Sequence, residues 1–217
     1  MSSAPLLLAL HSSTETLAVA VQPLGVPGAA ARVAAYPLGR RLSNDLLPCV
    51  EELLPAAQWR QLGRLVVATG PGGFTGTRLT LVLARTLAQQ LMIPLHGYSS
   101  TLLVARRLAA AGAPLQGVPQ FWLAQDLPRR GTVAGCYGPD ASAFGGVAER
   151  VVPRLFRPGE PWPGGPDGSE PAHPAAVDPG ADVRQLLELG QLAHAADLPG
   201  PWQSVLPLYP TSPVEGL

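Results

Sequence analysis

The segment Leu65-Val66-Val67-Ala68-Thr69-Gly70-Pro71-Gly72-Gly73-Phe74-Thr75-Gly76-Thr77-Arg78 constrains this chain more than any other. A short apolar run passes directly into four closely spaced glycines, and then into a helix-compatible stretch ending near Leu91. That pattern predicts strand, tight loop, helix, the building step of an α/β architecture. The loop has two readings. Its backbone N–H groups and the helix start behind it can receive an anion, which makes it a phosphate cradle. Alternatively, the glycines serve a tight turn with positive φ at several positions. It lacks both the Lys-Ser/Thr ending of a P-loop and the G-x-G-x-x-G spacing of a dinucleotide fold.

The rest of the first hundred residues fits the same architecture. Residues 6–10 and 17–21 are short apolar runs around the polar turn His11-Ser12-Ser13-Thr14-Glu15-Thr16, which predicts a β-hairpin. A third strand is expected near 31–37. Ser43 is placed to cap a helix over 43–54, with Leu46, Leu47, Val50, Leu53 and Leu54 on one face. Pro48 is awkward inside that helix, and Pro55 ends it. A strand at 94–98 and a helix at 99–111, stopped by Gly112, complete the unit. Beyond it, strands are expected at 121–124 and 132–137. Residues 153–180 hold 8 Pro and 5 Gly in 28 positions, which predicts a surface excursion without helix or inner strand. Asp182 is placed to cap a helix to about 196, and 199–213 is expected to be an extended tail anchored by Trp202 and Tyr209. The division expected is a lobe over 1–105 and a smaller, Pro/Gly-rich lobe over 106–217.

Charge and chemistry narrow the function. The 15 basic residues are all Arg, matched by 15 acidic ones, so the net charge is zero. Such a chain has no electrostatic footprint for gripping a phosphate backbone by itself. Cys49 and Cys136 allow one disulfide at most and are read as reduced core thiols of a cytosolic protein. The histidines at 11, 96, 173 and 194 show none of the i, i+3 or i+4 pairing that puts two metal ligands on one helix face, so no metal site is expected. No G-x-S-x-G elbow occurs. Asp126, beside Arg129 and Arg130, reads as part of an exposed turn. The start of the chain lacks the basic residues of a signal peptide, and Arg85, Thr86, Gln89 and Gln90 interrupt the longest apolar segment, so no membrane span is expected.

Two features remain. In actin-like nucleotide-binding folds the first strand ends in an Asp that helps hold hydrated Mg²⁺, followed by a small polar turn for phosphate. His11 stands in that place, and imidazole is a poor Mg²⁺ ligand; the other reading is a hairpin turn without chemistry. The helix over 75–91 carries Leu79, Leu81, Val82, Leu83, Ala84, Leu87, Ala88 and Leu91 around most of its circumference. It must be covered on more than one side: by its sheet, and by a partner protein, the second lobe or the helix over 45–54.

Three segments together carry a family resemblance: Leu8-Ala9-Leu10-His11-Ser12-Ser13-Thr14-Glu15, the block from Val66 to Leu79 with its G-P-G-G-F-T-G-T-R core, and Ile93-Pro94-Leu95-His96-Gly97-Tyr98-Ser99-Ser100-Thr101-Leu102. In type and order they resemble the TsaB (YeaZ) family. The resemblance is strong over about 1–105 and faint over 120–140 and at Leu206-Pro207-Leu208-Tyr209-Pro210, which looks like the family's closing E-P-x-Y-x-R without its Arg.

The resemblance implies an actin-like ATPase (ASKHA)/RNase H-like fold in two lobes. It implies a cytoplasmic, non-catalytic subunit of the bacterial threonylcarbamoyl-transferase complex, activating a TsaD-like partner that forms N6-threonylcarbamoyladenosine in tRNA. A TsaE-like ATPase joins the pair, tRNA is met only indirectly, and the chain forms a homodimer when alone. No cofactor, metal or catalytic residue is implied for this subunit. The family's contact helices correspond to 43–54 and 74–91, which makes Leu46, Leu47, Val50, Leu53, Thr77, Arg78, Leu81 and Arg85 the expected partner interface. His11, Ser12, Ser13, Thr14, Gly70, Gly72, Gly73 and Gly76 would be vestigial phosphate loops. His11 in place of the first-strand Asp argues against inherited ATP hydrolysis, and Leu42-Ser43-Asn44-Asp45 departs from the family's first helix start. The rival expectation is a small actin-like kinase or ATPase using both loops.

Overall fold

The computed structural model describes residues 4–210. Its contacts divide the chain into two units, Met1–Ser100 with Asp178–Pro207, and Thr101–Val177 with Leu208–Leu217.

The first unit is built on a five-stranded sheet. Its strands are β1 (Leu6–His11), β2 (Thr16–Pro23), β3 (Arg32–Pro37), β4 (Leu62–Ala68) and β5 (Leu95–Tyr98), in the order β3-β2-β1-β4-β5. β1 pairs antiparallel with β2, and β2 with β3; β4 runs parallel to β1, and β5 to β4. The period-two alternation of strands sorts the side chains. Leu8, Leu10, Leu17, Val19, Val21, Leu65 and Val67 share one core cluster with α1 (Leu42–Leu53) and α2 (Phe74–Leu91). Leu7 and Val66 face the other way, against α4 (Pro179–Ala195): a Cβ on Gly190 of that helix would lie 2.8 Å from the Leu7 methyls and 3.0 Å from Val66. With helices on both faces, the inner strands β1 and β4 are apolar almost throughout.

The second unit holds α3 (Ser100–Ala109) beside a four-stranded sheet of β6 (Phe121–Leu127), β7 (Gly131–Pro139), β8 (Val147–Phe156) and β9 (Ala172–Pro174), ordered β8-β7-β6-β9. Phe121, Leu123 and Tyr137 pack with Val104 and Ala105 of α3. Trp122, Ala134, Cys136 and Phe156 form a separate cluster. Trp162 of the proline-rich excursion joins it, with ring centroids 5.4 Å from both Trp122 and Phe156.

Several expectations need correction. The C-terminal helix, expected in a lobe over 106–217, is in the first unit, because the five-stranded sheet needs a second layer. Its cap is Asp178, whose side chain accepts from Ala181 N at 3.0 Å with Pro179 behind it in the first turn. Asp182 is fully buried and accepts from Asp178 N at 2.8 Å. Helix α1 starts at Leu42 without a side-chain cap, so Ser43 does not serve as one. The sequence pattern missed β8 and β9. Both are edge strands, where exposure and proline (Pro153, Pro174) are tolerated. The tail carries a short 3-10 turn at Trp202–Ser204, and positions 211–213 of the expected tail lie outside the described residues. Both cysteines are reduced and buried. No helix among the described residues is long and apolar enough to cross a membrane.

Candidate functional site

Because β1 and β4 are parallel neighbours in register (Leu10 opposite Val67), the turn after one and the glycine loop after the other meet at the same end of the sheet. They meet backbone to backbone. Gly73 N donates to Ser13 O at 2.6 Å. A Cβ on Gly72 would lie 2.1 Å from Ser13 O, and one on Gly76 would lie 2.8 Å from Ser12 O and 2.9 Å from a Leu42 methyl. Of the four glycines only Gly70 has positive φ, at 95°. The expectation of positive φ at several positions is therefore corrected: Gly72 and Gly76 are glycine because a second loop lies where their side chains would be. Gly70 O accepts from Ser100 N at 2.7 Å, and Thr77 N donates to Gly73 O at 3.1 Å. One donor that a phosphate cradle would aim outward, Gly73 N, is spent inside the protein, whereas the Thr77 bond is the ordinary first intrahelical bond of α2.

The side chains of the turn diverge by the strand rule. Ser12, on the α1/α2 side, meets Thr80 of α2 with 2.5 Å between the hydroxyl oxygens. Thr80 in turn donates to Gly76 O at 3.1 Å, so Ser12 donates to Thr80. Thr14 Oγ1 accepts from Thr16 N at 3.2 Å. His11 is wholly buried on the α4 side. Burial pushes its pKa down to about 4, opposed in part by the charge of Asp178, so the imidazole is neutral at pH 7. Both of its ring nitrogens lack a protein partner, as do the buried hydroxyls of Ser13, Thr77 and Ser100. These groups can exchange hydrogen bonds with a small polar guest, but they include no carboxylate to hold a divalent cation. Among the described residues, no group of three or more His, Cys, Asp and Glu gathers to hold a metal.

The expected interface residues separate into two sets. Leu46 (7% exposed), Val50 (0%), Thr77 (3%) and Leu81 (2%) are buried in the first unit's own core. Leu53 packs against that core. A charge at Val50 or Leu81 would therefore disrupt this unit's packing before it disrupted any docking. Leu47 and Arg78 are exposed, and Arg85 is partly so. The exposed apolar residues along α2 are Phe74, Val82 and Met92, at 41%, 62% and 87%. Helix α2 is covered by its sheet, by α1 and by the turn at Trp202–Ser204, which leaves one outer stripe bare. Sequence reasoning did not place Phe74 or Trp202 at this face. Phe74 had a signal, standing four residues before Arg78 on the same helix; Trp202 had none.

This topology, a mixed sheet ordered 3-2-1-4-5 with β2 reversed and helices on both faces, defines the actin-like (ASKHA), RNase H-like class. Two solved structures have the same fold. One is described as an uncharacterised protein with similarity to peptidase YeaZ, from Pseudomonas aeruginosa, at a TM-score of 0.71 and 22% identity over 95% of this chain and 100% of that one. The other is YeaZ from Pseudomonas aeruginosa, at 0.67 and 23% over 94% and 99%. Residues 37–124 match the family model TsaD, tRNA N6-adenosine threonylcarbamoyltransferase. The chain is 34% identical over 151 residues to the tRNA threonylcarbamoyladenosine biosynthesis protein TsaB of Bacillus subtilis (strain 168), a match covering 68% of this chain and 59% of that protein's length. Within its fold class, the chain is thus similar in sequence to a TsaB protein, a member of the family that its three segments resemble.

Proposed function

We propose that this chain is the non-catalytic subunit of a bacterial threonylcarbamoyl-transferase complex, which binds and activates a TsaD-like partner for N6-threonylcarbamoyladenosine formation in tRNA. One observation carries the reading: α2 begins in a glycine loop whose space is taken by the hairpin turn, and it leaves an apolar, arginine-bearing stripe bare on its outer side. The first half of that observation suits a chain that does no phosphate chemistry; the second suits a docking helix. The kinship with TsaB supports the pathway. The TsaD model's match to 37–124 supports a partner of related fold, since α1 and α2 both lie in that span. The balanced, Lys-free charge suits a subunit whose partners grip the tRNA. In this reading the exposed residues Leu47, Phe74, Arg78 and Val82 and the partly exposed Arg85 form the contact, the buried Leu46, Val50, Thr77 and Leu81 shape it from beneath, a TsaE-like ATPase joins the pair in the cytoplasm, and the same face gives a homodimer when the partner is absent.

Reconstitution tests this. The cognate TsaD and TsaE proteins, with tRNA and an activated threonylcarbamoyl donor, should form the modified nucleoside only when this chain is added, and calorimetry of the chain alone with Mg-ATP should show no binding. Full yield without the chain overturns the proposal. Tight Mg-ATP binding with turnover by the chain alone overturns it in favour of a small actin-like kinase or ATPase.

A further inference from the structure

The outer stripe of α2 has a specific electrostatic form. Arg78 holds its guanidinium over the Phe74 ring, with Cζ 4.8 Å from the centroid. Arg85 holds its own over Trp202, at 5.6 Å. Phe74 lies one turn earlier on α2, whereas Trp202 is brought by the segment that follows α4. That segment is fixed to the first unit's sheet: Leu95 N donates to Gly200 O at 2.8 Å. Arg64 donates to Leu198 O at 3.0 Å. Val205 is buried in the main core, and Trp202 packs against it. The shelf under Arg85 is therefore rigid.

Neither guanidinium makes a hydrogen bond or ion pair among the described residues. α2 contains no acidic residue that could pair with them along the helix. A guanidinium stacked by its face keeps its N–H edges free, and its fork matches a carboxylate in two parallel hydrogen bonds. Arg78 and Arg85 are seven residues apart. They lie on the same side of α2, about 10.5 Å apart along its axis, and Val82, 62% exposed, stands between them.

We propose that Phe74 and Trp202 shelve Arg78 and Arg85 as two guanidinium forks that grip two carboxylates spaced seven residues apart on a helix of the TsaD-like partner, with Val82 seated between the pairs. This rests on the docking reading above and deepens it by giving the chemistry that the partner must present. It also makes Trp202 a positioning residue, acting through Arg85.

The test is calorimetric titration with the purified cognate TsaD protein at low and moderate salt, using full-length variants whose fold is verified by circular dichroism. Arg78→Lys and Arg85→Lys keep the charge but lose the fork, and each should weaken binding about tenfold, as expected for losing a bidentate pair. Trp202→Leu should weaken it as much as Arg85→Lys, with no further loss when the two are combined. Trp202→Phe should restore affinity, since it restores a ring. Val82→Asp separates the two claims. If it abolishes binding while both lysine variants bind like wild type, the docking face stands and the forks fall. If it leaves binding intact, the docking face falls and the forks with it.

Discussion

Acidification should cost the first unit stability through one side chain, His11. In the folded chain its pKa is about 4, against about 6.5 for an exposed imidazole, and burial is the leading cause. Between those values the unfolded chain binds a proton that the folded chain refuses, so stability rises with pH across this window. The contribution is fully present above about 6.5 and is lost as pH falls toward 4. At pH 4.5 the loss amounts to about 2.5 kcal/mol. His96 shifts in the same direction, through burial and the neighbouring Arg64, so the two must be separated. His11→Met removes the titrating group at similar volume. The assay is urea unfolding of wild type and variant at pH 7.5 and 4.5, in a background with Trp122 and Trp162 replaced by Phe, so that Trp59 and Trp202 report on the first unit. The wild-type midpoint should fall by about 1 M more than the variant's. Equal losses in both proteins would refute the assignment.

Two further substitutions test the packing. Gly72→Ala puts a methyl group 2.1 Å from Ser13 O, where backbone rather than a flexible side chain must move, so it should cost about 3 kcal/mol or prevent folding, read as a fall in Tm. Asp178→Ala removes the acceptor for Ala181 N and should cost about 1 kcal/mol in urea unfolding, with Asp178→Asn close to wild type.

The legible parts of this chain are those whose signal is local. Strands β1, β2 and β4 are apolar runs closed by turn residues, and α2 follows the glycine block at once. Position α4 could not be read this way, because a helix that closes a sheet's second face has the same amphipathic pattern as one in a separate lobe. Strand β8 was lost because Arg150 and Arg154 are exposed on an edge and, with the half-buried Glu149, dilute its alternation. The candidate site was half legible for a related reason. Leu46, Val50 and Leu81 form the strongest stripe, but that is the stripe their own sheet requires. The proposed docking residues Leu47 and Val82 lie off it and are exposed, although in sequence they read as part of the same apolar surfaces. Gly72 and Gly76 were visible as glycines, yet their cause, Ser12 and Ser13 about sixty residues earlier, is a contact between distant segments and has no local trace.

The late return of α4 has a consequence for how the chain is made. The strands of the first unit are all translated by Tyr98, but the helix that covers Leu7 and Val66 begins only at Pro179. At 5–20 residues per second, the ribosome takes roughly 4 to 16 s to supply it. During that interval the nascent sheet carries one apolar face with no covering layer, and the Thr101–Val177 part of the second unit is synthesised meanwhile. Chaperone binding to nascent chains of this protein should therefore begin after β5 emerges and end when α4 clears the exit tunnel.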